Sequence, residues 1–308
     1  MLRRLALIAS ALTGLPLAIA WFLSEQVLHP KPRIEDHGLD DFPLPAEPVS
    51  FASRDGTRLA GWFIPAPDRS RPAAGIVLSH GWARSRCELL PHAGFLHHTG
   101  FAVLMFDYRY RGESEGSAIT MGVRERDDLL GALDTLCARP EVDASRVGIF
   151  GMSMGGVVAI LVGARDQRVR TIAAEAPFAS HGAIMTRALR HYFHLPSFPV
   201  AQLARWIFER RVGESLAGVE PIDCVADFAP RPVFIMACER DAVIGHEETE
   251  RLFAAAAEPK RFWFIAGADH ACGWQAAGAE YERRVSDFFQ ETLAANQPAY
   301  AGEQSTAS

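Results

Sequence analysis

Val147-Gly148-Ile149-Phe150-Gly151-Met152-Ser153-Met154-Gly155-Gly156 reads as the end of a buried strand, a tight turn and the start of a helix. Its centre, Gly151 to Gly155, fits the pattern G-x-S-x-G, and the small and apolar run Val157 to Ala164 follows at once. In a strand–turn–helix setting this pattern strains the serine backbone and lifts the hydroxyl out of the sheet. Gly151 and Gly155 lack a Cβ, which lets strand and helix approach closely beside Ser153. A glycine-rich turn with an exposed serine would satisfy the same five residues, so the rest of the chain must supply partners for the hydroxyl.

Outward from the elbow, short apolar runs alternate with helical patterns. Val49 to Ser53 and Arg58 to Ile64 flank Arg54-Asp55-Gly56-Thr57 and read as a hairpin. Continuous apolar strands are expected at Ala74 to Ser79, Phe101 to Phe106, Thr171 to Ala174, Arg231 to Ala237 and Arg261 to Ala266. Helical periodicity runs over Val123 to Cys137, about Glu247 to Ala257, and about Ala276 to Ala295. Apolar strands between helices imply a mostly parallel sheet covered on both faces. The stretch from Phe178 to Asp227 interrupts the alternation and reads as a helical cap or lid over a pocket. Its aromatics Tyr192, Phe193, Phe198 and Trp206 are candidate pocket walls.

A serine hydroxyl needs a base to take its proton. With the nucleophile on an elbow, the acid and the histidine follow in the order Ser, Asp or Glu, His, each after a later strand. Asp241 and His270 stand at those two strand ends, and Glu175 is the rival acid. His270 would take the proton from Ser153, while Asp241 would fix the imidazole tautomer. The oxyanion that forms on attack needs two backbone N–H donors. Met154, the residue after the nucleophile, is one candidate, and Trp82 in His80-Gly81-Trp82 after an earlier strand is the other. His80 reads as a loop-shaping residue rather than a base.

The chain has 308 residues, 49% of them hydrophobic, which suffices for one large core. A net charge of -6 gives no basis for a nucleic-acid partner. The five cysteines are scattered without a CxxC pair, so neither a disulfide framework nor a zinc site is indicated, though a single disulfide is open. Residues 1–24 read as an amino-terminal membrane anchor or signal sequence. Leu5 to Leu23 is uncharged behind Arg3 and Arg4 and would span about 28 Å as a helix. Ala18-Ile19-Ala20 resembles a signal-peptidase site, but Trp21-Phe22-Leu23 continues the apolar run, which favours an uncleaved anchor. The arginines ahead of it place the catalytic domain outside the cytoplasm, membrane-tethered, or secreted or periplasmic after cleavage. Residues 25–48 are proline-rich and read as a linker. The hydrolytic domain is expected at 49–295, its cap at about 178–227, and a frayed tail at 296–308.

The chain resembles the α/β-hydrolase superfamily, nearest its serine-aminopeptidase-like and lysophospholipase-like branch. The resemblance covers about Val49 to Thr292 and rests on His80-Gly81-Trp82, Asp107 through Gly116, Asp143 to Gly156, Asp241 and Gly267 to His270. Tyr110 stands where the family has a glycine, and Cys238 and Gly245 replace a usual glycine and proline around the acid loop. The resemblance implies an α/β-hydrolase fold and an acyl-serine mechanism with no metal and no cofactor. The expected substrate is a small-molecule or lipid-like ester. A peptidase or amidase of the same fold and a catalytically silent membrane-bound binding module are the alternatives.

Overall fold

The computed structural model describes residues 2–35, 37–194 and 197–294. Helix α1 (Leu2–Leu28) leads into a sheet that begins with β1 (Glu47–Ala52), β2 (Arg58–Ile64) and β3 (Ala73–Ser79). Then come α2 (Leu90–His98), β4 (Ala102–Phe106), α3 (Glu125–Cys137), β5 (Val142–Met152), α4 (Met154–Gly163) and β6 (Val169–Glu175). The cap contributes α5 (His181–Phe193) and α6 (Val200–Val212). The domain closes with β7 (Val233–Cys238), α7 (His246–Ala255), β8 (Lys260–Ile265), α8 (Gly273–Ala277) and α9 (Ala279–Thr292).

The eight strands lie in the order β1-β2-β4-β3-β5-β6-β7-β8. β1 and β2 pair antiparallel, β2 joins β4 antiparallel, and the remaining pairings are parallel. Parallel strands buried on both faces must be apolar throughout, which is why β3, β4, β7 and the second half of β5, from Val147, read as hydrophobic runs. From β3 the chain passes to β4 on one side and then returns to β5 on the other. The loops after β3 and β5 therefore part at a switch point, where an open α/β sheet forms its crevice. The core is divided between the two faces of the sheet, one centred on Val77, Ile149 and Val158, the other on Ile76, Phe150 and Phe288.

The carboxyl-terminal helix expected as one piece is two, α8 and α9. Gly278 between them takes φ 51°, a left-handed conformation that ends one helix and starts the next. The five cysteines are free thiols.

The amino terminus departs from expectation. Among the described residues, no helix is long and apolar enough to cross a membrane. α1 runs on through Ser24 and Glu25 to Leu28, and its last turns bury apolar residues against the protein. Ala20 packs with Leu189, Val200, Ala201 and Ala204, while Leu28 packs with Phe208 and Val212. Arg211 of α6 pairs with Glu25 at 2.6 Å and lies over the Trp21 ring. Two carbonyls at the helix end, which have no intrahelical partner, are claimed from outside. Val27 O accepts from the Trp82 indole at 3.0 Å, and Leu28 O accepts from Ile119 N at 2.8 Å.

The expected linker is likewise attached to the domain. Arg33 N donates to Ala83 O, and the Glu35 carboxylate accepts from Ser85 N at 2.7 Å and pairs with Arg84. Leu39, Phe42 and Leu44 then pack against the core. The prolines hold this segment extended, and its apolar residues hold it down.

Candidate active site

Register in the sheet assembles the site. Ser79, the last residue of β3, pairs with Gly151 of β5, and Met152 pairs with Glu175 of β6. The loops following these three strands therefore leave one rim side by side. Ser153 follows β5 with φ 53° and ψ −118°, a conformation costly for a residue with a side chain. Ser153 N donates to Glu175 O at 2.8 Å, which ties the turn to the neighbouring strand. The flanking glycines are required by contact. A Cβ on Gly155 would lie 2.0 Å from Ser79 O, and one on Gly151 would lie 2.5 Å from Gly155 O.

The side chains expected around Ser153 meet there. His270 Nε2 is 3.0 Å from Ser153 Oγ, and His270 Nδ1 is 2.7 Å from Asp241 Oδ2. An ionised Asp241 can only accept, so Nδ1 carries the proton and Nε2 is free to accept from the serine. The other oxygen of Asp241 accepts from the amides of Val243 and Ile244, at 2.9 and 2.8 Å. Burial opposes ionisation of Asp241. The His270 hydrogen bond and these two amides outweigh it and hold the carboxyl below its ordinary range.

Glu175, the rival acid, is engaged elsewhere. Its buried carboxyl accepts from the Tyr281 hydroxyl at 2.5 Å and from Gly273 N at 2.8 Å. It thereby fastens the loop that carries His270 to α9. Burial pushes this carboxyl up, against the pull of those donors.

The loop after β3 lies against the elbow. A Cβ on Gly81 would stand 3.7 Å from Met152 O, so this backbone passes directly beside the nucleophile turn. Met154 N opens α4, where the first amides have no intrahelical acceptor. Among the described residues, neither Met154 N nor Trp82 N donates to a protein acceptor. The buried His80 shapes this loop. Its Nε2 accepts from Tyr108 N at 3.0 Å, so Nδ1 carries the hydrogen and donates to Gly81 O at 2.8 Å. Burial lowers its pKa to about 4, which keeps the ring neutral.

Glu88 is a participant that the sequence did not reveal. It follows Gly81 at no recognisable motif spacing, yet its buried carboxyl accepts from Gly81 N at 2.7 Å and pairs with Arg84 at 3.1 Å. Burial raises its pKa from 4.5 to about 7. A raised folded-state pKa means that the native protein binds the extra proton, so Glu88 erodes stability as pH climbs from about 4.5 through about 7. Glu88→Gln keeps an acceptor for Gly81 N and removes the titration. Its unfolding free energy should gain on wild type across that window by about 3 kcal/mol and then level off. Parallel denaturation curves at pH 4 and pH 8 would contradict this account of Glu88.

Two of the expected pocket aromatics, Phe198 and Trp206, do not line the cap cavity. Phe198 and Trp206 are 74% and 51% exposed, because α6 turns Ala201, Ala204 and Phe208 inward instead. The side chains of Tyr192 and Phe193 lie outside the described residues. The cavity of the cap lies between α1, α5 and α6, with Leu23, Val27, Ile184, Met185, Leu189 and Phe208 among its walls.

A sequence profile of the prolyl oligopeptidase family matches residues 92–296. The chain belongs to that family. It is a serine hydrolase of the α/β-hydrolase superfamily. Among relatives of this family member, protein YfhR of Escherichia coli K12 is 30% identical over 256 residues, covering 82% of this chain and 83% of the relative. Protein YqkD of Bacillus subtilis 168 is 26% identical over 301 residues, covering 93% and 97%. The esterase Pf2001 of Pyrococcus furiosus shares the fold with a TM-score of 0.71 at 23% identity, covering 87% of this chain and 98% of that one.

Proposed function

We propose that this hydrolase cleaves carboxylic esters of lipid-like acyl compounds through an acyl-serine intermediate. The reading is carried by the unbroken hydrogen-bonded sequence from Ser153 through His270 to Asp241, at a serine held in strained geometry. Ser153 Oγ attacks the ester carbonyl carbon while its proton passes to His270 Nε2. The resulting oxyanion is received by the amides of Met154 and Trp82. When the tetrahedral adduct collapses, the alkoxide leaves and takes the proton from His270. Water then repeats the sequence on the acyl-serine, releasing the carboxylic acid and restoring Ser153. Asp241 remains ionised throughout, and its negative charge favours the imidazolium that forms twice in each cycle.

Peptide or amide hydrolysis is the second reading, favoured by membership in a family named for an oligopeptidase. The chemistry at Ser153 is common to both, so substrate binding separates them. Among the described residues the cap cavity is lined mostly by apolar side chains, with Ser24 and His181 its polar members and no carboxylate to meet a peptide's terminal ammonium, which favours the ester. Purified enzyme should hydrolyse p-nitrophenyl esters with a specificity constant at least about 100-fold above that for aminoacyl p-nitroanilides, a gap of roughly 3 kcal/mol in transition-state binding. Preference for the anilides would transfer the assignment to the peptidase reading.

A further inference from the structure

The turn that presents the Trp82 amide is held from a distant part of the chain. Gly81 N donates to Glu88 at 2.7 Å, and Gly81 O accepts from His80 Nδ1 at 2.8 Å. A trans peptide points its N–H opposite its C=O, so the bond to Gly81 O also aims the Trp82 N–H. These contacts fix one end of the turn. At the other end the holding groups come from the amino-terminal segment. Val27 O accepts from the Trp82 indole at 3.0 Å, Arg33 N donates to Ala83 O at 3.0 Å, and Glu35 accepts from Ser85 N at 2.7 Å. The second oxygen of Glu35 meets Arg84 at 3.2 Å, and Arg84 meets Glu88 at 3.1 Å, so a line of alternating charge ends on the carboxylate that receives Gly81 N. Ala83 shows why such support is needed. Its φ of 61° is a left-handed conformation that costs a residue with a side chain and persists only where the surroundings enforce it. Released, Ala83 would relax to negative φ and the turn beside the elbow would open.

We propose that residues 27–35 are a strap that holds the oxyanion loop in its catalytic shape, with Glu35 as the main positioning residue. The inference rests on the hydrolase reading, with Trp82 N as an oxyanion donor, and adds the amino-terminal segment to the apparatus that aims that donor. Removing an oxyanion donor outright lowers kcat by about 10²- to 10³-fold. Loosening the loop misdirects the donor without deleting it, so a strap variant should lose about 10- to 100-fold. Acylation and deacylation both pass through an oxyanion, so both slow together and KM holds.

The test compares full-length wild type with Glu35→Ala and with Arg33→Pro, which deletes the N–H that holds Ala83. Active sites are counted by fluorophosphonate labelling carried to completion, and kcat and KM for p-nitrophenyl acetate are referred to that count. Inhibition by a trifluoromethyl ketone, whose serine adduct carries the same oxyanion, is measured alongside. Each variant should lose at least tenfold in kcat with KM within about twofold of wild type, and should bind the ketone more weakly by a factor close to the loss in kcat. A kcat per active site within twofold of wild type, or a kcat loss with undiminished ketone affinity, would overturn the strap while leaving ester hydrolysis intact. A strap that only stabilised the fold would lower the melting temperature and leave both quantities alone. A wild-type chain that neither turned over the ester nor bound the ketone would instead sink the hydrolase reading, and the strap with it. The two variants act on different bonds of the same turn, so if one fails to fold the other still decides the proposal.

Discussion

Replacing Ser153 by alanine should leave the protein folded and lower its turnover of esters by about 10⁴- to 10⁶-fold. The magnitude follows from how the hydroxyl is held. Ser153 Oγ is the atom to which His270 Nε2 points, and among the described residues no other hydroxyl takes that hydrogen-bond position. Without it, the imidazole can only activate water, while the oxyanion donors and the binding site supply the residual rate. Stability should move the other way or not at all, since alanine removes no contact on which the core depends and keeps the same strained φ of 53°. A variant retaining a tenth of wild-type kcat would place the nucleophile elsewhere.

The next largest effect is expected at Asp241. Asp241→Asn should cost about 10⁴-fold in kcat, and Glu175→Gln far less. In the native site one Asp241 oxygen accepts from Val243 and Ile244, which leaves the other to accept from His270 Nδ1. An asparagine would keep its carbonyl on those amides and turn its NH₂ toward Nδ1. The imidazole would then carry its proton on Nε2, facing Ser153, where a base is needed. Glu175→Gln instead disturbs the bonds to Tyr281 and Gly273 and should register as about 1–3 kcal/mol of lost stability. Kinetics and denaturation on the two variants separate these roles, and the reverse ranking in kcat would move the acid to the end of β6.

The pattern around Ser153 was readable because an elbow constrains residue type at every position. Gly151 and Gly155 have no room for a side chain, the buried apolar strand β7 locates the end where Asp241 stands, and the aromatic run of the edge strand β8 locates the end before His270. Identity between Asp241 and Glu175 could not be read with the same force, because both follow a buried strand and only side-chain direction distinguishes them. α2 escaped notice for a related reason. Pro91 and Gly94 interrupt its propensity, and Leu90 to Leu96 is buried all round, so no polar face marks its period. The packing of α1 is not legible locally, because an uncharged leucine-rich stretch reads the same whether its neighbours are lipid or protein. Its register against α6 depends on partners nearly two hundred residues away, such as Arg211 for Glu25. The same long range hides the cap cavity, whose walls are gathered from α1, α5 and α6, whereas Glu88 is hidden by the loop that folds it back onto Gly81.

The central claim, that Ser153 is a nucleophile activated by His270, is tested most directly by covalent capture. A fluorophosphonate probe reacts with a serine only where a base and an oxyanion site act on it together. Full-length protein should be labelled once, with the adduct mapping by mass spectrometry to the peptide containing Ser153, and labelling should vanish in both Ser153→Ala and His270→Ala. An adduct on another serine, or undiminished labelling of the His270→Ala protein, would contradict the account.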